Sequence, residues 1–304
     1  MNPTLKQLLG PIPTDSGFKH RMRLHQGWWR AFVLGQEPGK HPMKDNSKVC
    51  NTIEDGESNY KNFLSPKIIE AVQHTFEERK ESSSGIIEED RLFNNLLSSQ
   101  PLCFNFFGEL KINKAFALQI LKSYISDITE VKDVIFEYAP SENYTNDNSA
   151  FDVAIEVKSG DETGLLGLEC KYTDSFSPTE FDKPEYRDIF FNSDVFKETY
   201  ECFISSRFNQ LFRNQLIAEA LIQNKKYDYV TTGLFCHSDD KAIEVGQEFQ
   251  GMLNNGNNIF NIITYQNFIS TIQKQDIPWE KRELSMMLWA RYCGMELSEG
   301  MVSK

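Results

Sequence analysis

Asp152, Glu169 and Lys171 carry the most pointed chemistry in this sequence. Asp152 lies in Phe151-Asp152-Val153-Ala154-Ile155-Glu156-Val157, where apolar residues alternate with polar or small ones. Successive side chains of an extended segment turn to opposite faces, so Phe151, Val153, Ile155 and Val157 share one face and Asp152, Ala154 and Glu156 the other. In Leu165-Leu166-Gly167-Leu168-Glu169-Cys170-Lys171-Tyr172 the same period sets Glu169 and Lys171 together, opposite Leu166, Leu168, Cys170 and Tyr172. Pairing Ser159 with Gly164 across the intervening turn places Asp152 opposite Lys171 and Ala154 opposite Glu169. Opposed side chains stand about 5 Å apart and diagonal ones about 7 to 8 Å, which suits a divalent cation between Asp152 and Glu169, with room above Ala154. Mg²⁺ takes oxygen from one or two carboxylates and leaves its other positions to water and substrate phosphate; Mn²⁺ accepts similar ligands. The backbone carbonyl of Cys170 is a further candidate ligand. A metal on the phosphoryl oxygens, with Lys171 positioning or deprotonating a water, supports in-line hydrolysis of a phosphodiester.

The acid-x-lysine spelling is loose, since Glu78-Lys80, Glu109-Lys111, Glu130-Lys132 and Glu156-Lys158 share it. A solvated strand face with an exposed Glu169–Lys171 pair, contributing at most about 1 kcal/mol, fits the spacing too. A rival site would take Glu137 as first acid and Glu156 with Lys158 as the pair; it sets that pair against a loop and is disfavoured. Further along, Gln210, Arg213 and Asn214 share one helical face at i, i+3 and i+4. There Gln210 is placed to orient the water or a phosphate and Arg213 to grip a phosphate backbone, the alternative being a solvated stripe. Near the N-terminus Lys19, Arg21, Arg23, His25 and Arg30 accompany Trp28 and Trp29. This densest positive stretch makes Arg21, Arg23 and Arg30 candidate DNA contacts, although core anchoring is the simpler role for the tryptophans. His237 beside Cys236 has no second ligand or base at a recognisable spacing, and both read as structural.

The elements that must hold these residues follow from periodicity and turn signals. One early helix is expected over 18–34. Ser65 as cap and Pro66 at the first helical position open another over 66–81, with Ile68, Ile69, Val72 and Phe76 on one side. The aromatic cluster Phe104, Phe106 and Phe107 precedes a helical pattern through Ala115, Leu118, Leu121 and Ile125. Strands are expected at 131–138, 151–157 and 164–172, a long helix at 195–225, and a strand at 229–235. The tail adds a helix at 242–253, a strand at 259–264 and a helix at 280–295. The core order is therefore α-β-β-β-α-β, an α/β fold with a mixed sheet flanked by helices. It divides as a mainly helical arm over 1–98, a core over 99–240 and a C-terminal α/β extension over 241–304.

Composition agrees with a folded globular chain: of 304 residues, 40% are hydrophobic and 25% charged, too apolar for disorder. The balance of 32 Lys+Arg against 44 Asp+Glu, net −12, argues against an indiscriminate nucleic-acid coat but allows a local basic groove. The six cysteines include no C-x-x-C pair, so neither a zinc ribbon nor a disulfide framework is signalled. No apolar run approaches a signal peptide or a membrane span, which makes the cytoplasm the expected compartment and excludes a membrane partner.

This order, with Asp152 and Glu169-Cys170-Lys171 on adjacent strands, resembles the PD-(D/E)XK phosphodiesterase superfamily. Leu96-Leu97-Ser98-Ser99-Gln100-Pro101-Leu102-Cys103-Phe104-Asn105, Ser149-Ala150-Phe151-Asp152-Val153 and Gln210-Leu211-Phe212-Arg213-Asn214-Gln215 look like its bacterial restriction-endonuclease-like branch. So do Gln26-Gly27-Trp28-Trp29-Arg30 and Arg291-Tyr292; the one departure is Phe151, standing where the superfamily spelling has proline. The resemblance implies metal and water roles for Asp152, Glu169 and Lys171, and an auxiliary acid from Glu137 or Glu109, two near-equal candidates. It implies a Mg²⁺-dependent endonuclease acting on DNA in restriction or defence, with partner subunits of a defence system. Cutting both strands calls for two sites and hence a homodimer. A catalytically silent binding or assembly subunit and an RNase are the alternatives.

Overall fold

The computed structural model describes residues 3–10, 17–40, 47–80 and 85–302. Residue 81, where the second expected helix was to close, lies outside the described residues. One mixed sheet forms the centre, built from β1 (Glu130–Tyr138), β2 (Phe151–Ser159), β3 (Glu162–Cys170), β4 (Tyr229–Cys236) and β5 (Phe260–Thr264), side by side in that order. The first three strands make an antiparallel meander; β4 and β5 continue parallel to β3. The helices that concern the site are α1 (Phe18–Trp28), α2 (Pro66–Arg79), α3 (Ser99–Ile112), α4 (Lys114–Leu121), α5 (Pro184–Phe191), α6 (Asn209–Gln223), α7 (Ala242–Gly251), α8 (Tyr265–Lys274) and α9 (Trp279–Tyr292). Their starts are chemically marked: Ser65 accepts from the Ile68 amide, Ser98 from Gln100 and Asn113 from Phe116, each satisfying a first-turn donor. Among the described residues no helix is long and apolar enough to cross a membrane.

Three expectations change. The phenylalanine cluster lies inside α3 rather than before the helix, with Phe104, Phe106 and Phe107 all buried. The expected helix over 195–225 is broken, and only α6 runs its full length after a short helical turn at Tyr200–Phe203. Phe203 and Phe212 meet at 5.2 Å between ring centroids. Nine residues apart on one straight helix they would stand half a turn out of phase, so the chain breaks between them to pack both rings. Finally, the segment between β3 and that helix, for which the periodicity predicts no element, contains α5, whose Tyr186, Ile189 and Phe190 bury one face.

The hairpin joining β2 and β3 sets the register of the site. Gly160, at φ +63°, and Asp161 form a two-residue turn, and Ser159 pairs with Glu162 rather than Gly164. The register therefore moves by two from the expected one. Because two is the side-chain period, the faces are kept while the partners change: Ala154 lies opposite Gly167, and Val153 opposite Leu168. Continuing the ladder one step brings Asp152 level with Glu169, not Lys171. Val153, Ile155 and Val157 face the larger core with α2, α3 and α8. Phe151 departs from that row and packs with Ala154, Leu165 and Ile217 of α6. Gly167 makes this possible, since a Cβ there would come within 2.6 Å of the Phe151 ring.

Ends of the chain meet in a buried polar network. Arg291 Nη1 donates to the Asn62 carbonyl at 2.7 Å, and Gln26 Nε2 to the Arg291 carbonyl at 2.8 Å. Asn105 Nδ2 donates to the Asn62 carbonyl and the Tyr292 hydroxyl, both at 2.9 Å. Buried polar groups are tolerated only when so paired, which fixes α1, α3 and α9 to one another.

Candidate active site

The carboxyl end of β3 gathers five of the singled-out residues. Glu169 and Lys171 are 4% and 6% exposed, so the solvated strand face does not apply. Lys171 Nζ stands 2.9 Å from Glu169 Oε1. Gln210, from the first turn of α6, ties the pair: its Nε2 donates to Glu169 Oε1 at 2.6 Å and its Oε1 accepts from Lys171 Nζ at 2.9 Å. Asn214, one turn on, donates to Glu169 Oε2 at 3.0 Å. Asp152 reaches across from β2, its Oδ2 accepting from the Cys170 amide at 2.6 Å. The backbone of Lys171 is also held, its amide donating to the Phe235 carbonyl at 2.9 Å and its carbonyl accepting from the Tyr265 hydroxyl.

These groups open on a cavity of about 230 Å³ that Glu137, Asp152, Glu169, Lys171 and Gln210 line together. Glu137 sits near the end of β1 at φ +51°, a left-handed conformation uncommon for a side-chain-bearing residue. Gln100 fixes its carboxylate, donating to Oε1 at 2.9 Å. Sequence reasoning gave Gln100 no role; the signal available was its place behind the Ser98 cap in the first turn of α3, the turn that points at the sheet.

Burial raises the Asp152 carboxyl well above the usual range, and the charges of Glu169 and Glu137 add to the effect. Burial likewise pushes Glu137 up to about 7, with Glu169 adding to it and the Gln100 hydrogen bond and Arg79 opposing it. For Lys171, burial pulls down, but the negative charges of Glu169 and Asp152 prevail and hold the ammonium above its ordinary range. The site is thus a crowd of carboxylates short of positive charge, with one ammonium firmly protonated. Hard oxygen donors in that state match a hard divalent cation. Among the described residues no three His, Cys, Asp or Glu side chains form a ready-made metal cage, yet Mg²⁺ needs only one or two protein carboxylates. The donor set of Asp152, Glu169 and the Cys170 carbonyl therefore fits such an ion.

Other sequence candidates lie elsewhere. Glu109 faces the far side of α3, where it accepts from Ser65 Oγ at 2.7 Å and pairs with the Lys281 ammonium. Its carboxylate serves the α2 cap and α9, not the acidic cavity. Arg213 turns toward Asp147, 3.7 Å away, and lies over the Phe181 ring, so it is not presented to a backbone phosphate. Arg30 is 1% exposed and donates to the carbonyls of Leu8, Gln36 and Cys50, which makes it a clamp for the N-terminal segment. Arg21 is engaged by Glu299 and Asp239. Arg23 is exposed. Glu156, of the rival pair, accepts from the Tyr227 hydroxyl. His237 is buried, stacks on Phe18 at 4.6 Å and contacts Gln266.

A helix-flanked mixed sheet carrying acids on two adjacent strands and a lysine two residues past the second acid defines the class of an α/β nuclease core. A family model of the PD-(D/E)XK nuclease superfamily matches residues 13–294, and the chain belongs to that superfamily. No curated protein and no solved structure matches the chain.

Proposed function

We propose that this protein is a Mg²⁺-dependent endonuclease that hydrolyses DNA phosphodiester bonds, serving in restriction or defence against foreign DNA. The observation that carries the reading is the Glu169–Lys171–Gln210 cluster beside Asp152 at the mouth of an acidic cavity. Asp152, Glu169 and the Cys170 carbonyl would hold the metal, which supplies Lewis-acid stabilisation of charge on the phosphate oxygens. Lys171, kept protonated by its two acidic neighbours, acts as a donor that orients the attacking water and the phosphate rather than as the base. Gln210 holds Lys171 and Glu169 in fixed rotamers, and Glu137, buried and with a carboxyl shifted to about 7, is poised to accept a proton from water near neutral pH.

The test is cleavage of plasmid, linear duplex, single-stranded DNA and RNA in Mg²⁺ by the wild type, Asp152→Ala and Lys171→Ala proteins. Wild-type cleavage of DNA that both variants lose, with the fold retained by circular dichroism, is the expected result. Activity persisting in both variants would overturn the assignment, and cleavage of RNA alone would overturn DNA as substrate.

A further inference from the structure

Beside the acidic cavity lies a larger one of about 620 Å³, and Asp174 lines both. Phe176 belongs to the larger cavity, while the Lys171 ammonium stands 4.7 Å from the centroid of its ring. One aromatic ring thus touches the catalytic lysine and walls the neighbouring space. Lys19 and Lys241 line that space as well; Lys19 donates to Ser175 Oγ at 2.7 Å, and Lys241 is exposed at the rim.

Asp240, also in the wall, is 8% exposed. Its Oδ1 accepts from the Ala242 amide at 2.9 Å, whereas its Oδ2 is buried with no hydrogen-bond partner. Leaving such an oxygen unsatisfied costs about 1 to 3 kcal/mol, and buried polar atoms are rarely left so without a use. Burial raises the Asp240 carboxyl, and the Ala242 hydrogen bond and the charges of Lys19 and Lys171 offset this only in part. A rotation of the carboxylate toward the cavity would present this oxygen to a ligand that brings a hydrogen-bond donor.

We propose that this cavity receives one unpaired base of the DNA strand next to the scissile phosphate, packed against Phe176, with its exocyclic amino group donating to Asp240 Oδ2. The inference rests on the nuclease reading for the neighbouring site and names its substrate more closely. Three features select a nucleotide: an aromatic wall on which a base can stack, ammonium groups for its phosphate, and a buried acceptor of the kind that reads cytosine N4. Cytosine, adenine and guanine offer an amino group; thymine offers none. Extracting a base from a paired duplex costs a few kcal/mol, so single strands, mismatches and frayed ends are the favoured substrates.

Binding of fluorescent 12-mer oligonucleotides, measured by anisotropy in EDTA, reads this apart from hydrolysis. The expected result is at least tenfold tighter binding of oligo-dC than of oligo-dT or a perfect duplex, with the dC preference lost in Asp240→Leu. Lys241→Glu, a change at an exposed position, is expected to weaken all single strands severalfold without touching the fold. Equal affinity for dC and dT in the wild type, or a preference that survives in Asp240→Leu with thermal stability unchanged, overturns the proposal. If Mg²⁺-dependent cleavage is lost in Lys171→Ala but unaltered in substrate preference by Asp240→Leu, the nuclease reading stands and the base pocket falls. If base-selective binding is present but no protein cleaves, the pocket stands and the nuclease reading falls.

Discussion

Glu137→Gln should make the metal-free protein more stable while lowering its activity. The carboxyl of Glu137 is moved from 4.5 to about 7, chiefly by burial, with the Glu169 charge contributing. A raised carboxylate is a cost at high pH: it is absent below pH 4.5, grows as the pH climbs toward 7, and is constant above that. At about 1.4 kcal/mol per unit, the full shift amounts to about 3 kcal/mol. Glutamine keeps the oxygen that accepts from Gln100 and removes the charge. In EDTA at pH 8 the variant should therefore melt higher by about 6 °C, taking roughly 2 °C per kcal/mol for a chain of this length. At pH 5 the gain should shrink to about 2 °C. Adding Mg²⁺ should raise the wild-type midpoint at pH 8 more than the variant's, because the ion relieves the same crowding. Thermal melts of both proteins at the two pH values, with and without Mg²⁺, supply the comparison. An equal gain at pH 5 and pH 8, or no gain at either, would refute the idea that burying an ionised Glu137 strains this site.

Lys171→Met should abolish cleavage and also destabilise the fold by about 3 kcal/mol, since it leaves Glu169 buried without its counter-charge; urea unfolding checks this. Gln210→Leu should lower the cleavage rate by about 10- to 100-fold while leaving the metal donors in place, as is usual when the partners that orient a metal's ligands are lost. Glu109→Gln should leave single-turnover cleavage within about twofold of wild type, in contrast to Glu137→Gln, because its carboxylate faces Ser65 and Lys281. His25, buried and bonded to the Ala290 carbonyl, has its pKa lowered by burial to about 4. The unfolded chain takes up that proton first, so stability is full above about pH 6.5 and falls as the pH drops toward 4, by up to about 3 kcal/mol; His25→Gln should flatten that decline in melting temperature.

Strand faces were legible because a period of two survives any even slip: the expected hairpin was two residues out, yet Asp152 and Glu169 still share a cavity. The slip itself turned on whether Gly160 would adopt a left-handed conformation, which several residues near it in sequence left open. Burial of Glu169 and Lys171 was not legible, since the groups that enclose them, Gln210 and Asn214, arrive some forty residues later on α6. Between Glu137 and Glu109 the sequence offered no choice; α3 turns Gln100 toward Glu137 and Glu109 toward Ser65, so that only Glu137 lines the cavity with Asp152 and Glu169. The partners of three arginines were not legible either. Arg30 is drawn inward by carbonyls, Arg213 turns to Asp147 and Arg21 pairs at the surface with Glu299, partners that only tertiary contact supplies.

The Tyr265 hydroxyl, which caps the peptide carbonyl of Lys171, belongs to a helix that follows the last strand of the sheet. Synthesis runs from the N-terminus, so every acid of the site leaves the ribosome well before the residue that steadies its lysine. Order of synthesis becomes order of arming. A chain halted after β4 would carry Asp152, Glu169 and Lys171 but neither Tyr265 nor the strand that backs it. In a chain of a nuclease superfamily, the backbone of the site lysine thus gains its last hydrogen bond only after the fifth strand and the helix behind it have been made.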